Sequence, residues 1–228
     1  MIISIEKSNK LYPPQLQELS VKTLYYRGDI SILNDKIIAV IGQRDASERS
    51  LAIAYQIGKI LAHNGYTILN GLAIGCDKYA AMGAVSENGK VIGVMPSGLD
   101  EIYPSSCKQL AQKIVDCGGC LVSQYPEGTP PVKYQFIERD KLQAVIATKI
   151  IVVSAKEKGG TMHTVSFAVK SDREIGSIIE SKEITPEGNI FIQKKYNATR
   201  IFDTDSLMKF VSENKPEQLS FFCNEKAV

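Results

Sequence analysis

The sequence predicts an α/β protein built on a doubly wound, mainly parallel sheet with helices on both faces. Three observations predict it. Short apolar runs alternate with helical patterns through the middle of the chain, the order that yields parallel strands joined by crossover helices. The runs are continuously apolar rather than alternating, as strands covered on both faces must be. Glycine-bearing loops follow several of these runs, at the edge where doubly wound sheets receive ligands.

Residues 1–36 read as a lead-in of strand and turn packed on the core, with Tyr12-Pro13-Pro14 as a rigid element. Residues 37–212 form the main domain and 213–228 a tail. The first core strand is 37–41, a run of Ile, Ala and Val. Leu51, Ala54, Ile57, Ile60 and Leu61 then recur at helical spacing. Asp45, three residues before Glu48, reads as the start of a capping box, and Asn64-Gly65 as the helix stop. Further strands are expected at 67–69, 91–95, 121–123 and 150–153, with helices at 78–87, 105–116, 139–148 and 161–170. Beyond Lys170 the pattern loosens, and Ile178-Ile179 and 190–192 read as short strands.

Composition narrows the function. A chain of 228 residues with 44% hydrophobic and 23% charged residues suits one soluble domain with a substantial core. A net charge of +2 announces no polyanion partner, so any nucleic-acid binding must come from local placement of charge. No apolar run is long enough to span a membrane, and the N-terminus lacks the apolar centre of a signal peptide. A cytoplasmic protein without membrane contact is expected. Five cysteines, an odd number, read as free thiols. Cys117 and Cys120 have CxxC spacing, but they follow a helix instead of opening one, so no dipole stabilises a thiolate. No second ligand pair completes a zinc site, so no metal is expected.

Four loops collect at the ligand edge. They are Gly42-Gln43-Arg44, Asn70-Gly71 through Ala73 to Gly75, Pro96-Ser97-Gly98, and Lys158-Gly159-Gly160-Thr161. Each leads into a helix whose free N–H groups meet an anion, and together they point to a phosphate-bearing ligand. They are neither a P-loop nor a dinucleotide fingerprint. No catalytic constellation emerges, and no cofactor is expected: His63 reads as a solvated helix end, and His163 lies beside the last glycine loop. After the fourth core strand, Lys133, Arg139 and Lys141 interleave with Tyr134 and Phe136. Basic residues among aromatic platforms are how single-stranded nucleic acid is held. The bland alternative puts Phe136 in the core and the charges on a solvated helix start.

These pieces resemble the DNA-processing protein A family, also called Smf, over 11–170. Leu11-Tyr-Pro-Pro-Gln-Leu16 and Leu24-Tyr-Tyr-Arg-Gly-Asp29 look like its lead-in. Ile38 to Arg44 resembles its first strand and G-[ST]-R loop, and Asn70 to Asp77 its SGxARGxD. Ser97 to Pro104 follows its sGLDxxYP. Ser123 to Pro126, Gly128 to Pro131, and Phe136 with Arg139-Asp140-Lys141 follow its SExP, GxxP and FpxRNR. Gly159-Gly160-Thr161 and Thr164 sit where the family has SGS and a threonine.

The resemblance implies a Rossmann-like domain that binds single-stranded DNA and hands it to a RecA-type recombinase, commonly as a homodimer and without catalysis. By position, Arg44 would contact phosphate. Backbone N–H groups around Gly71, Gly75, Ser97 and Gly98, and near Gly160 and Thr161, would cradle others. Lys133, Arg139 and Lys141 would line the strand's path, with Phe136 stacking on a base. Asp77 reads as a structural cap or an orienter of a basic side chain. This chain departs from the pattern at Ile74, where the family has arginine, at Gln124 for glutamate and at Asp140 for asparagine. No C-terminal winged-helix domain and no N-terminal helical extension are expected in it. The competing reading is a nucleotide-binding or sensing module of the wider lysine-decarboxylase-like Rossmann group. The hydrolases of that group carry a glutamate after PGGxGT; here the loop is followed by Met162-His-Thr-Val-Ser166.

Overall fold

A computed structural model of the chain describes residues 1–212 apart from 11, 18 and 180–183. The expected tail at 213–228 lies outside the described residues. In chain order the elements are β1 (Ile3–Glu6), β2 (Thr23–Gly28), β3 (Ile37–Gly42), α1 (Glu48–His63), β4 (Thr67–Asn70), α2 (Cys76–Ser86), β5 (Val91–Val94) and α3 (Lys108–Asp116). They continue with β6 (Cys120–Ser123), α4 (Lys133–Ile146), β7 (Lys149–Ser154), α5 (Gly160–Lys170), β8 (Glu174–Ile178), α6 (Glu187–Tyr196), β9 (Thr199–Ile201) and α7 (Thr204–Ser212).

The strands form one sheet in the order β1-β2-β6-β5-β4-β3-β7-β8-β9. From β3 the chain winds outward through β4, β5 and β6, then returns to the other side of β3 for β7, β8 and β9. Neighbours from β6 to β9 run parallel, whereas β1 and β2 add an antiparallel margin from the lead-in.

The continuous apolar strands divide their side chains between two cores. Ile37, Ala39 and Ile41 of β3 and Ile150 and Val152 of β7 pack with α4, α5 and α6. Ile38, Val40, Ile151 and Val153 pack on the other face with α1, α2, α3 and α7. Helices α1 and α2 meet almost backbone to backbone. A methyl group on Gly58 would fall 2.0 Å from the Ala80 carbonyl, and one on Gly83 2.0 Å from that of Tyr55.

Three local expectations are corrected. Helix α1 is capped by Ser47, whose Oγ accepts from the Ser50 N–H at 3.2 Å, while Asp45 pairs with Lys156. The cap falls at Ser47 because the helix begins at Glu48, leaving Asp45 outside its first turn. Residues 190–192 belong to helix α6, not to a strand. Pro186 at its start, Glu187 in the first turn and Lys194 and Lys195 in the last favour the helix through its ends. Helix α4 begins at Lys133, six residues before the predicted start, where Gln135 Oε1 accepts from the Val132 N–H at 2.6 Å.

Candidate nucleic-acid interface

The sheet changes winding direction between β3 and β7, and a cleft of about 670 Å³ opens there beyond their carboxyl ends. The loop after β3 supplies Gly42, Gln43, Arg44 and Asp45. Helix α4 supplies Lys133, Phe136, Ile137, Arg139, Asp140 and Gln143, and the loop into α5 supplies Lys156, Lys158, Gly159, Gly160 and Thr161. Ala73, Asp77, Tyr103, His163 and Thr164 complete the wall.

Phe136 is the central ring. Its centroid lies 5.6 Å from the Arg44 guanidinium carbon and 6.0 Å from that of Arg139, and Tyr103 meets it edge-on at 5.7 Å. It is half-buried and lines the cleft rather than the core. Arg44, Lys133, Lys156 and Lys158 are exposed around it.

Beneath the ring lies a buried ionic cluster. Arg139 is only 6% exposed and Asp77 5%. The guanidinium of Arg139 fills the space above Gly71, where a methyl group would fall 1.3 Å from Nη1. Its Nε comes within 3.0 Å of Asp140 Oδ1, close enough for an ion pair but not aligned as a hydrogen bond. Burial raises the Asp77 carboxyl, opposed by Arg139 and by the amides of Gly71, Gly42 and Ala73. Burial also pushes Asp140 up to about 6; Arg139 opposes that shift, and the neighbouring Asp77 charge adds to it.

Asp77 explains why the turn after β4 carries glycines and an aspartate. Its Oδ2 accepts from the Gly71 N–H at 3.1 Å and its Oδ1 from the Gly42 N–H at 3.4 Å. The carboxylate thus occupies the anion position of its own turn, so these amides are not left for a phosphate. Asn70 braces the same turn, donating from Nδ2 to the Asp77 carbonyl at 2.8 Å and accepting from the Leu72 N–H at 3.1 Å. Gly75 opens α2 at φ +86°, where a side chain would meet the Gln43 and Arg44 carbonyls at 2.5 Å.

The predicted site residues therefore divide. Gly42, Gln43, Arg44, Ala73, Lys133, Phe136, Arg139, Gly159, Gly160, Thr161 and Thr164 come together in the cleft. Asn70, Gly71 and Gly75 build its support. Ser97 and Gly98 lie apart from it: Gly98 donates its N–H to the Thr129 carbonyl at 2.9 Å, and the buried Ser97 carbonyl accepts from Ser123 Oγ at 2.7 Å. Lys141 lines a separate small cavity with Leu19, Gln124 and Glu138, because it sits on another face of α4. Tyr134, 62% exposed, likewise faces away from the cleft. Lys156 and Asp45, not anticipated as site residues, join it, and Lys158 contributes more than a glycine-loop position. Ile74, at the family's arginine position, is 46% exposed and lies with Arg44, Tyr103 and Phe136 around a small adjoining pocket.

Among the described residues, the cysteines form no disulfide. Cys76, Cys107, Cys117 and Cys120 are free, and burial pushes the Cys120 and Cys76 thiols up to about 12. Among the described residues, no helix is long and apolar enough to cross a membrane.

Comparison with known proteins agrees with this fold. The chain is 32% identical over 173 residues to protein Smf of Escherichia coli, covering 75% of this chain and 46% of that one. It spans about half the length of the curated relatives it matches. Its fold superposes on DNA processing protein A of Streptococcus pneumoniae with a TM-score of 0.82 at 27% identity, covering 91% and 74% of the two chains. The corresponding protein of Helicobacter pylori, described for its single-stranded DNA binding mode, gives a TM-score of 0.80 at 26% identity, covering 92% and 94%. The family model for DNA recombination-mediator protein A matches residues 3–212, and the chain belongs to that family.

Proposed function

We propose that this chain binds single-stranded DNA in the cleft at the β3–β7 switch and, as a homodimer, presents it to a RecA-type recombinase without a catalytic step. The observation that carries the reading is the ring of exposed cations, Arg44, Lys133, Lys156 and Lys158, around the half-buried Phe136. Cations neutralise successive phosphates while an aromatic face accepts a base of any sequence. The first residues of α5, Gly160 and Thr161, add helix N–H groups to the same wall. Lys158 supplies charge that Ile74 does not, while the charge of Lys156 is shared with Asp45.

Fluorescence anisotropy with labelled single-stranded and duplex oligonucleotides at two salt concentrations tests the reading, alongside Arg44→Ala and Lys133→Ala. Single strands should bind more tightly than duplex, and each substitution should reduce the salt slope by about 0.7. Absence of binding at low salt would overturn the proposal and turn attention to free nucleotides, for which the α5 amides alone suffice.

A further inference from the structure

We propose that Asp140 reads the edge of a nucleobase stacked on Phe136, giving the cleft a preference for guanine, whose edge carries adjacent N–H donors, over thymine. The inference rests on the single-stranded DNA reading and adds a specificity to it.

Helix α4 turns Lys133, Phe136, Asp140 and Gln143 into the cleft, at successive spacings of three, four and three residues. Such residues share one face of a helix. Asp140 lies about 6 Å beyond Phe136 along the axis, at a rise of about 1.5 Å per residue. The face thus presents a cation, then a ring, then two acceptor-bearing side chains along one line of the cleft.

One oxygen of the acceptor is unspent, in a residue that lines the cleft yet is only 6% exposed. Oδ1 of Asp140 takes both internal contacts, from Arg139 Nε at 3.0 Å and Gln143 Nε2 at 3.2 Å. No hydrogen bond among the described residues ends on Oδ2. Gln143 Oε1 beside it is buried without a partner, leaving a second acceptor unspent. The charged and titratable groups facing Asp140 are Arg139 on its own helix, Asp77 from α2 and His163 from α5.

An ionised carboxylate only accepts hydrogen bonds, whereas the family's asparagine at this position offers one acceptor and donors. Guanine carries its ring N–H and exocyclic amine side by side and matches an acceptor-only floor. Thymine sets its single N–H between two carbonyls, which a carboxylate repels.

The test compares two labelled strands of equal length, one of thymine alone and one with isolated guanines. Binding is measured at pH 8 and pH 5 with the wild type and Asp140→Asn. At pH 8 the guanine strand should bind the wild type about five- to tenfold more tightly, the low end of one good base contact. At pH 5 the carboxyl is largely protonated, given its value of about 6, and gains a donor, so the ratio should fall towards one. Asp140→Asn should bring the ratio towards one at both pH values. Equal affinities at pH 8 with salt-sensitive binding would overturn the base reading and leave the DNA reading standing. A ratio unchanged in Asp140→Asn would also overturn it. Failure of both strands to bind at low salt would overturn both.

Discussion

The guanidinium of Arg139 occupies the space that a side chain on Gly71 would fill, with Nη1 1.3 Å and Cζ 2.2 Å from the position of an added Cβ. The glycine after β4 is therefore a packing requirement of an arginine 68 positions later in the chain. An arginine tip ordinarily swings aside, but this one is buried with Asp140 beside it and Asp77 as a nearby counter-charge. Gly71→Ala should cost about 1–3 kcal/mol, the range for an overpacked interior. Urea unfolding with an unchanged m-value would show it. An unchanged midpoint would mean that Arg139 leaves its place freely.

Asp140 makes a pH prediction with a definite sign. Its carboxyl titrates at about 6 in the folded protein against an ordinary 3.8. The stability gained from keeping it neutral is fully present below 3.8 and is lost as pH rises through about 6. Asp140→Asn removes that dependence. The variant should be more stable than wild type at pH 8 by about 2–3 kcal/mol, with the advantage gone at pH 3.5. Unfolding curves at both pH values check it, and a variant less stable than wild type at pH 8 would contradict it.

The seam between α1 and α2 predicts the opposite of helix propensity. Alanine is favoured over glycine in a helix interior by about 1 kcal/mol. At Gly83 and Gly58, however, the added methyl would overlap a carbonyl of the facing helix at 2.0 Å. Either substitution by alanine should lower stability by about 1–3 kcal/mol net, because the helices must separate. Once separated they accommodate both methyl groups, so the double variant should lose less than the two losses added. Thermal unfolding of the three variants measures this coupling.

What the sequence made legible follows from range. The strands were readable because residues such as Ile37 to Ile41 supply both cores at once, which leaves no polar position to confuse the pattern. The edge that carries the cleft was readable because the glycine loops after β3 and β7 lie next to each other once those strands pair. Which amides remain for a ligand was not readable. The Gly42 N–H is taken by Asp77 and the Gly98 N–H by the Thr129 carbonyl, partners 35 and 31 residues away. The burial of Arg139 was hidden for the same reason, since a cation after a loop reads as solvated until Gly71 and Asp140 are seen to enclose it. Lys156 joins the cleft only through the position of the β7 loop, and no periodicity marks it.

The position of that loop depends on a buried side chain in α6. Asn189 accepts from the Ala155 N–H through Oδ1 at 2.8 Å, and its Nδ2 lies 3.1 Å from the Val152 and Val153 carbonyls and 3.0 Å from that of Ile178. It therefore ties the ends of β7 and β8 together at the point where the loop carrying Lys156 and Lys158 departs. Gly188 lets α6 approach closely enough, for a methyl group there would fall 2.4 Å from the Ala155 carbonyl. Leucine at Asn189 would strand the Ala155 amide and leave the strand-end carbonyls short of a donor. Each stranded buried group costs about 1–3 kcal/mol, so Asn189→Leu should lose at least that much in urea unfolding. Amide exchange at Ala155 should accelerate, because its N–H would have lost its acceptor. The variant should also bind single-stranded DNA more weakly than wild type under conditions where both are folded, since Lys156 and Lys158 would no longer be held against the cleft. Weaker binding with unchanged exchange at Ala155 would place the cause elsewhere, and unchanged binding would show that the loop keeps its place without Asn189.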